Sequence, residues 1–319
     1  MWGRDQIVEE LRRRGELWEC APGLIALRGD VLALRNALAA ALRTVAMRSA
    51  ADEWCLPPAL PLDTLRRADY FASFPQWLTT ATHLSDDEDA LRAVAEADGR
   101  KLGSAVESAS LPAHVALQPA ACYHVYTAWA GRIADQAECV TCEGTCWRHE
   151  GRAACPLERG WAFTMREVVC AGGRSAVDGM LATQRAAALM LAARLGLDAE
   201  IEVAEDPFFA PTARGRALMQ RLRALKHELR LPAGNGRTVA AASFNHHEGH
   251  FSTAFDITLP GGEPAVTGCA AYGIERWLLA VLAVHGVDAG RWPDPATAMD
   301  GRAKARRPAP VHPALREAS

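Results

Sequence analysis

Three short strings constrain this chain more than its composition does: Trp147-Arg-His-Glu150, Phe163-Thr-Met-Arg-Glu-Val-Val169 and Gly273-Ile-Glu-Arg276. The first two read as antiparallel strands joined by a loop, and the third as the start of a helix. Residues two apart on a strand project from one face. Arg148 and Glu150 are therefore expected to share a face and to meet Phe163 around one ligand, with Arg276 arriving from the helix. An arginine can hold a phosphate, and a carboxylate can accept from an adenine amino group. Each string is weak alone. Their order and separation point to an ATP-using site on an antiparallel sheet.

The chain has 319 residues, half of them apolar, enough for one large core. The net charge of -3 carries no nucleic-acid signature. No apolar run reaches membrane-spanning length, and the charged first residues are unlike a signal peptide. Nine cysteines, an odd number among ordinary core residues, suit a reducing compartment, so a cytoplasmic location is expected. The expected organisation is a short N-terminal segment over 1–30, a catalytic domain over 31–290, and a loose, proline-rich basic tail over 291–319. A helix is expected over Ser175 to Leu195, stopped by Gly196, and an acidic one around Asp86 to Asp98. Short β-rich runs alternate with helices, which gives an α+β fold: an antiparallel sheet flanked by helices.

The three strings resemble the second and third signature motifs of class II aminoacyl-tRNA synthetase catalytic domains. A loose counterpart of the first motif is the helical run from Val31 to about Ser49, followed by Glu53-Trp-Cys-Leu-Pro-Pro-Ala-Leu-Pro61. Seryl-tRNA synthetases have a similar helix and a strand ending in a proline pair. The resemblance implies that Arg148 contacts the α-phosphate and the amino acid carboxylate. It implies that Glu150 reads adenine, Phe163 stacks on it, and Arg276 holds the γ-phosphate. Arg159, in the loop between the strands, is a candidate for the β- or γ-phosphate.

Cysteine supplies a second clue. Cys122, Glu167 and Cys269 offer two thiolates and a carboxylate, three ligands that would leave a tetrahedral zinc one open position. By composition alone they read equally as two buried cysteines and a strand-end acid. A zinc-dependent branch of seryl-tRNA synthetases, found in some archaea, uses a Cys, Glu, Cys set placed this way. Bacterial homologues of that core lack the tRNA-binding arm. They are amino acid:[carrier protein] ligases, which load glycine or alanine onto the phosphopantetheine arm of a small carrier protein. The chain is identified as a member of that group over roughly residues 50 to 290. The resemblance implies one zinc per chain, Mg2+ with ATP, and a homodimer paired through the first motif. It also implies that Ser243 and Asn245 line the substrate site. No tRNA partner is expected, since only about 30 residues precede the core helix.

Two departures stand out. Many class II sites carry a magnesium-binding glutamate a few residues before the serine, whereas Val239-Ala-Ala-Ala-Ser243 has none. Ala271 stands where relatives often have glycine. A rival metal site, the run Cys139, Cys142, Cys146 and Cys155, could be read as a zinc finger, but it lacks the long loop between two clamps.

After Asp206-Pro-Phe-Phe209 a basic run follows, expected as a helix over about 212–230. Arg214, Arg216, Arg221 and Lys226 would form its exposed face and Leu218, Leu222, Leu225 and Leu229 its buried stripe. Such a face is either solvated or suited to an acidic partner. The resemblance, in which a helix here docks the carrier, implies an acidic carrier protein.

Overall fold

Period-two alternation along the central segments builds the scaffold of the site. The structure, a computed structural model, describes residues 1–209 and 220–299. In chain order its strands are β1 (Leu17–Ala21), β2 (Leu24–Leu27), β3 (Asp52–Trp54), β4 (Ala59–Pro61), β5 (Thr79–Ala81), β6 (Val115–Leu117), β7 (Glu138–Trp147), β8 (Ala162–Gly172), β9 (Glu200–Val203), β10 (Lys226–Gly234), β11 (Arg237–Glu248) and β12 (Val266–Gly273). Its helices are α1 (Arg4–Arg13), α2 (Gly29–Ala46), α3 (Leu62–Arg67), α4 (Tyr70–Ser73), α5 (Glu88–Ala95), α6 (Leu102–Ala109), α7 (Cys122–Ala128), α8 (Arg174–Arg194), α9 (His250–Phe255), α10 (Ile274–His285) and α11 (Pro295–Met299).

Seven strands form the main sheet in the order β3-β7-β8-β12-β11-β10-β9. Only β3 runs parallel to its neighbour, β7. Val168 and Cys170 of β8, Ala270 and Tyr272 of β12, and Phe244 of β11 turn to one face. There they pack against α2, α8 and α10 in the larger core. On α2, Val31, Leu34, Leu38, Leu42 and Val45 recur at helical spacing and are all buried. The opposite face carries Val169, Ala171 and Cys269 into a second core with α7 and α9. The antiparallel α+β expectation therefore holds.

Three local expectations change. The basic run is helical only through Leu222 among the described residues. Ala224 then takes a left-handed φ of 47°, and Lys226 opens β10. Lys226 is consequently buried rather than on an exposed helix face. Arg214 and Arg216 lie outside the described residues. The tail is also not loose from 291 onward. Ala298 of α11 is buried and its carbonyl accepts from Arg194 Nη1 at 2.6 Å. Residues 300–319 lie outside the described part. Among the described residues, no helix is long and apolar enough to cross a membrane.

Candidate active site

The second face of the sheet forms the floor of a cavity of about 520 Å³. Register fixes that floor. One row across the strands runs Glu228, Ser243, Ala271, Glu167, Cys142; the next runs Lys226, Asn245, Cys269, Val169, Val140. Directly opposed residues share a face, so Ser243, Asn245, Glu167 and Cys269 look into one space.

Arg148, Glu150, Arg159, Phe163 and Arg276 line the same cavity. Arg148 and Glu150 sit just beyond the end of β7 rather than on it, so strand alternation is not what aims them. Arg148 is held otherwise. Its backbone N–H donates to Trp161 O at 2.9 Å and its Nε to Pro119 O at 3.0 Å. Its guanidinium carbon lies 5.5 Å from the Trp77 ring centre and 5.4 Å from that of Phe163, in cation–π range of both. Glu150 pairs with Arg159 at 2.7 Å. Arg276, in the first turn of α10, donates from Nε to Glu158 O and from Nη1 to Ala240 O, both at 2.8 Å.

At the other end of the cavity the thiols of Cys122 and Cys269 and a carboxylate oxygen of Glu167 lie within 4.8 Å of one another. All three residues are buried. Both oxygens of Glu167 accept from backbone amides, Ala121 at 2.9 Å and Cys122 at 3.1 Å. Burial, and then the charge of Cys269, push the Glu167 carboxyl up to about 7. Three buried acidic groups repel one another when ionised, and a divalent cation would relieve that repulsion. Two thiols, a carboxylate and neighbouring open space suit zinc with one free position. Asn245 Nδ2 donates to Cys269 Sγ at 3.4 Å, and His247 Nε2 lies 3.7 Å from that sulfur, so the thiolate is oriented from outside the set. The rival cysteine run does not converge. Among the described residues the sole ligand group is Cys122, Glu167 and Cys269. Cys139 instead faces Cys170 across β7 and β8.

Several cavity residues escaped the sequence reading. Tyr70 is 2 % exposed and its hydroxyl has no hydrogen-bond partner. Burial raises that phenol to about 12, so it stays protonated at neutral pH. Asp206 pairs with Lys226 Nζ at 2.6 Å and accepts from Gln220 Nε2 at 2.9 Å. Lys226 also meets Glu228 at 3.1 Å. These contacts tie together the two ends of the chain that flank residues 210–219. Phe208 stacks on Phe74 at 5.1 Å, and Phe74 stacks on Trp77 at 5.2 Å. The one signal for β10 was its alternation: Leu229 and Leu231 inward, Lys226 and Glu228 to the cavity.

Two proteins of Bradyrhizobium diazoefficiens, amino acid--[acyl-carrier-protein] ligases 1 and 2, are 33% and 34% identical to this chain over 258 residues. The matches cover 80% of this chain and 78% and 76% of theirs. The chain belongs to the amino acid–[acyl-carrier-protein] ligase family. Its fold is that of class II aminoacyl-tRNA synthetase catalytic domains. The M. kandleri seryl-tRNA synthetase, solved with A. aeolicus tRNASec, superposes with a TM-score of 0.82 at 25% identity, over 94% of this chain. The chain spans 61% of that synthetase. No protein-family model matches the chain.

Proposed function

We propose that this family member activates a small amino acid, glycine or alanine, with ATP and transfers it to the phosphopantetheine thiol of a carrier protein. One observation carries the reading: the Cys122, Glu167, Cys269 set opens into the same cavity as Arg148 and Arg276. A cation held by that set would thus face the arginines that can hold a polyphosphate.

Cys122 Sγ, Cys269 Sγ and a Glu167 oxygen would hold a zinc ion, which would supply a Lewis-acidic position for the neutral α-amino group. The protein's own groups do the rest. Arg148, steadied by Trp77, Phe163 and Pro119 O, offers its remaining N–H groups to the carboxylate and the α-phosphate. The Tyr70 hydroxyl, beside Arg148 and without a partner, donates to the same anionic group. Phe163 gives adenine a stacking surface, while Glu150 reads its amino group. Arg276, with Arg159 once released from Glu150, neutralises the outer phosphates. The carboxylate oxygen attacks the α-phosphorus in line, the bond to the bridging oxygen breaks, and pyrophosphate leaves. The thiol of the carrier arm then attacks the adenylate carbonyl, giving a thioester and AMP.

The acceptor is proposed to be an acidic carrier that docks on the basic segment around Arg214, Arg216 and Arg221. Lys226 is withdrawn from that surface because its charge is spent on Asp206 and Glu228. We also propose one zinc per chain and a homodimer paired through α2 and β3. The similarity to a seryl-tRNA synthetase favours one rival reading, charging of a tRNA. ATP–pyrophosphate exchange followed by offering either acceptor separates them. Thioester on a carrier protein supports the proposal, and aminoacyl-tRNA replaces it with the rival.

A further inference from the structure

The N-terminal segment, to which the sequence attached no role, is tied to Arg276. Trp2 N donates to Ala283 O at 2.8 Å, so the segment sits on α10, the helix that carries Arg276. The first turn of α1 then places Arg4 Nη1 3.1 Å from Glu158 Oε2, while Asp5 holds Arg4 Nη2 at 2.7 Å. From the other side Arg237, at the start of β11, places Nη2 2.8 Å from Glu158 Oε1. Glu158 is thus a carboxylate only 8 % exposed with one arginine on each oxygen. It lies in a tight turn of the β7–β8 loop, which Cys155 and Arg159 close by exchanging two backbone hydrogen bonds of 2.9 Å. Inside that turn Leu157 takes a left-handed φ of 64°, a strained conformation for a residue with a Cβ. Such a backbone persists only where its surroundings over-determine it. Here Leu157 is buried in the larger core, Trp161 N donates to Gly23 O at 2.8 Å, and the two arginines grip Glu158. The turn so fixed presents the Glu158 carbonyl to Arg276 Nε at 2.8 Å.

We propose that Glu158 is a positioning residue, clamped by Arg4 and Arg237 so that its carbonyl aims the Arg276 guanidinium at the outer phosphates; this rests on the proposal that ATP occupies the cavity. The choice of atoms carries the argument. A carbonyl orients a guanidinium without neutralising it, whereas a carboxylate would cancel the charge that a phosphate needs. Glu158 gives Arg276 its carbonyl and turns its carboxylate away, onto two other arginines. Ala240 O fixes Arg276 Nη1 at 2.8 Å in the same manner. Among the described residues Arg276 meets these two carbonyls and no carboxylate, so its charge stays available to an anion. Arg4 and Arg237 do not line the cavity, although Leu157, Glu158 and Arg276 do. The clamp therefore stands behind the site and reaches it through the Glu158 backbone.

The test is calorimetric titration of the zinc-loaded full chain with ATP and, separately, with AMP. AMP lacks the outer phosphates, so it reads the rest of the nucleotide site. Glu158→Ala is expected to weaken ATP by about tenfold, the scale of one charge-assisted hydrogen bond, and to leave AMP within about threefold of wild type. The sign is decisive, because removing a negative charge near the phosphates would by electrostatics alone tighten ATP. Arg4→Ala, outside the cavity, should weaken ATP in the same direction, and Arg4→Lys should bind it as wild type does. That pair guards against a folding defect in the first variant. ATP affinity unchanged or tighter in Glu158→Ala overturns the clamp and leaves the ATP reading standing. ATP and AMP falling together in Glu158→Ala and Arg4→Ala also overturns it, since Glu158 would then support the loop as a whole. A wild-type protein that binds neither nucleotide overturns both.

Discussion

Arg148→Lys keeps the charge and removes the shape, so it isolates what the guanidinium contributes. The Nε of Arg148 is occupied by Pro119 O at 3.0 Å, and two aromatic rings flank the plane at 5.5 and 5.4 Å. The remaining donors form a fork fitted to a carboxylate or phosphate. An ammonium on a flexible stem can make one such contact but cannot hold the fork. Losing one charge-assisted hydrogen bond costs about 1.5–3 kcal/mol. Weaker ring contacts add about 0.5–1 kcal/mol. A total of about 2–4 kcal/mol corresponds to a fall in kcat/KM of roughly 30- to 1,000-fold. Pyrophosphate exchange with glycine and alanine measures it, with zinc content and thermal midpoint as controls. A lysine variant within about threefold of wild type, a difference under 1 kcal/mol, would refute the fork.

The other expectations are compact. Cys122→Ala or Cys269→Ala should lose about one zinc per chain by elemental analysis, whereas Cys139→Ala and Cys142→Ala keep it; the reverse outcome moves the site. Arg276→Ala should reduce exchange by about two orders of magnitude, as loss of a positioned charge does, and near-normal exchange sinks its phosphate role. Arg214→Glu with Arg221→Glu should cut loading of the carrier and spare exchange, with loading weakening as salt rises; both half-reactions falling together would show that the segment supports the fold instead. Lys226→Met should destabilise the protein by about 1–3 kcal/mol in denaturant melts, because it leaves the half-buried carboxylates of Asp206 and Glu228 without their cation. The same pair has a pH signature. Burial raises the Asp206 carboxyl, but Lys226 outweighs it and the net shift is downward. The pair's stabilisation is therefore present above the carboxyl's ordinary value of 3.8 and lost as pH falls through its depressed one. Lys226→Met should flatten that acid limb.

Much of the fold was legible because its signals were local. α8 ends where Gly196 takes a φ of 68°, as the sequence suggested. The strand pair β7–β8 showed its pattern in Phe163 to Val169. The misreading at Lys226–Leu229 has a physical cause. Leu218, Leu222, Leu225 and Leu229 recur at helical spacing, while Leu229 and Leu231 also alternate with Lys226, Glu228 and Arg230. The second pattern won because β11 offers a pairing partner from Arg237 onward. Sequence could name Cys122, Glu167 and Cys269 through resemblance, but not that Ala121 and Cys122 amides would grip the carboxylate. Tyr70 was not legible at all, since it reaches the cavity through tertiary placement from a four-residue helix.

The central claim is amino acid activation assisted by the cysteine–glutamate site. It is tested most directly by ATP–pyrophosphate exchange across the standard amino acids, with zinc-loaded and zinc-stripped protein side by side. The account predicts exchange with glycine or alanine that disappears on stripping and returns with zinc. Exchange that is indifferent to zinc, or no exchange with any amino acid by the loaded protein, would contradict it.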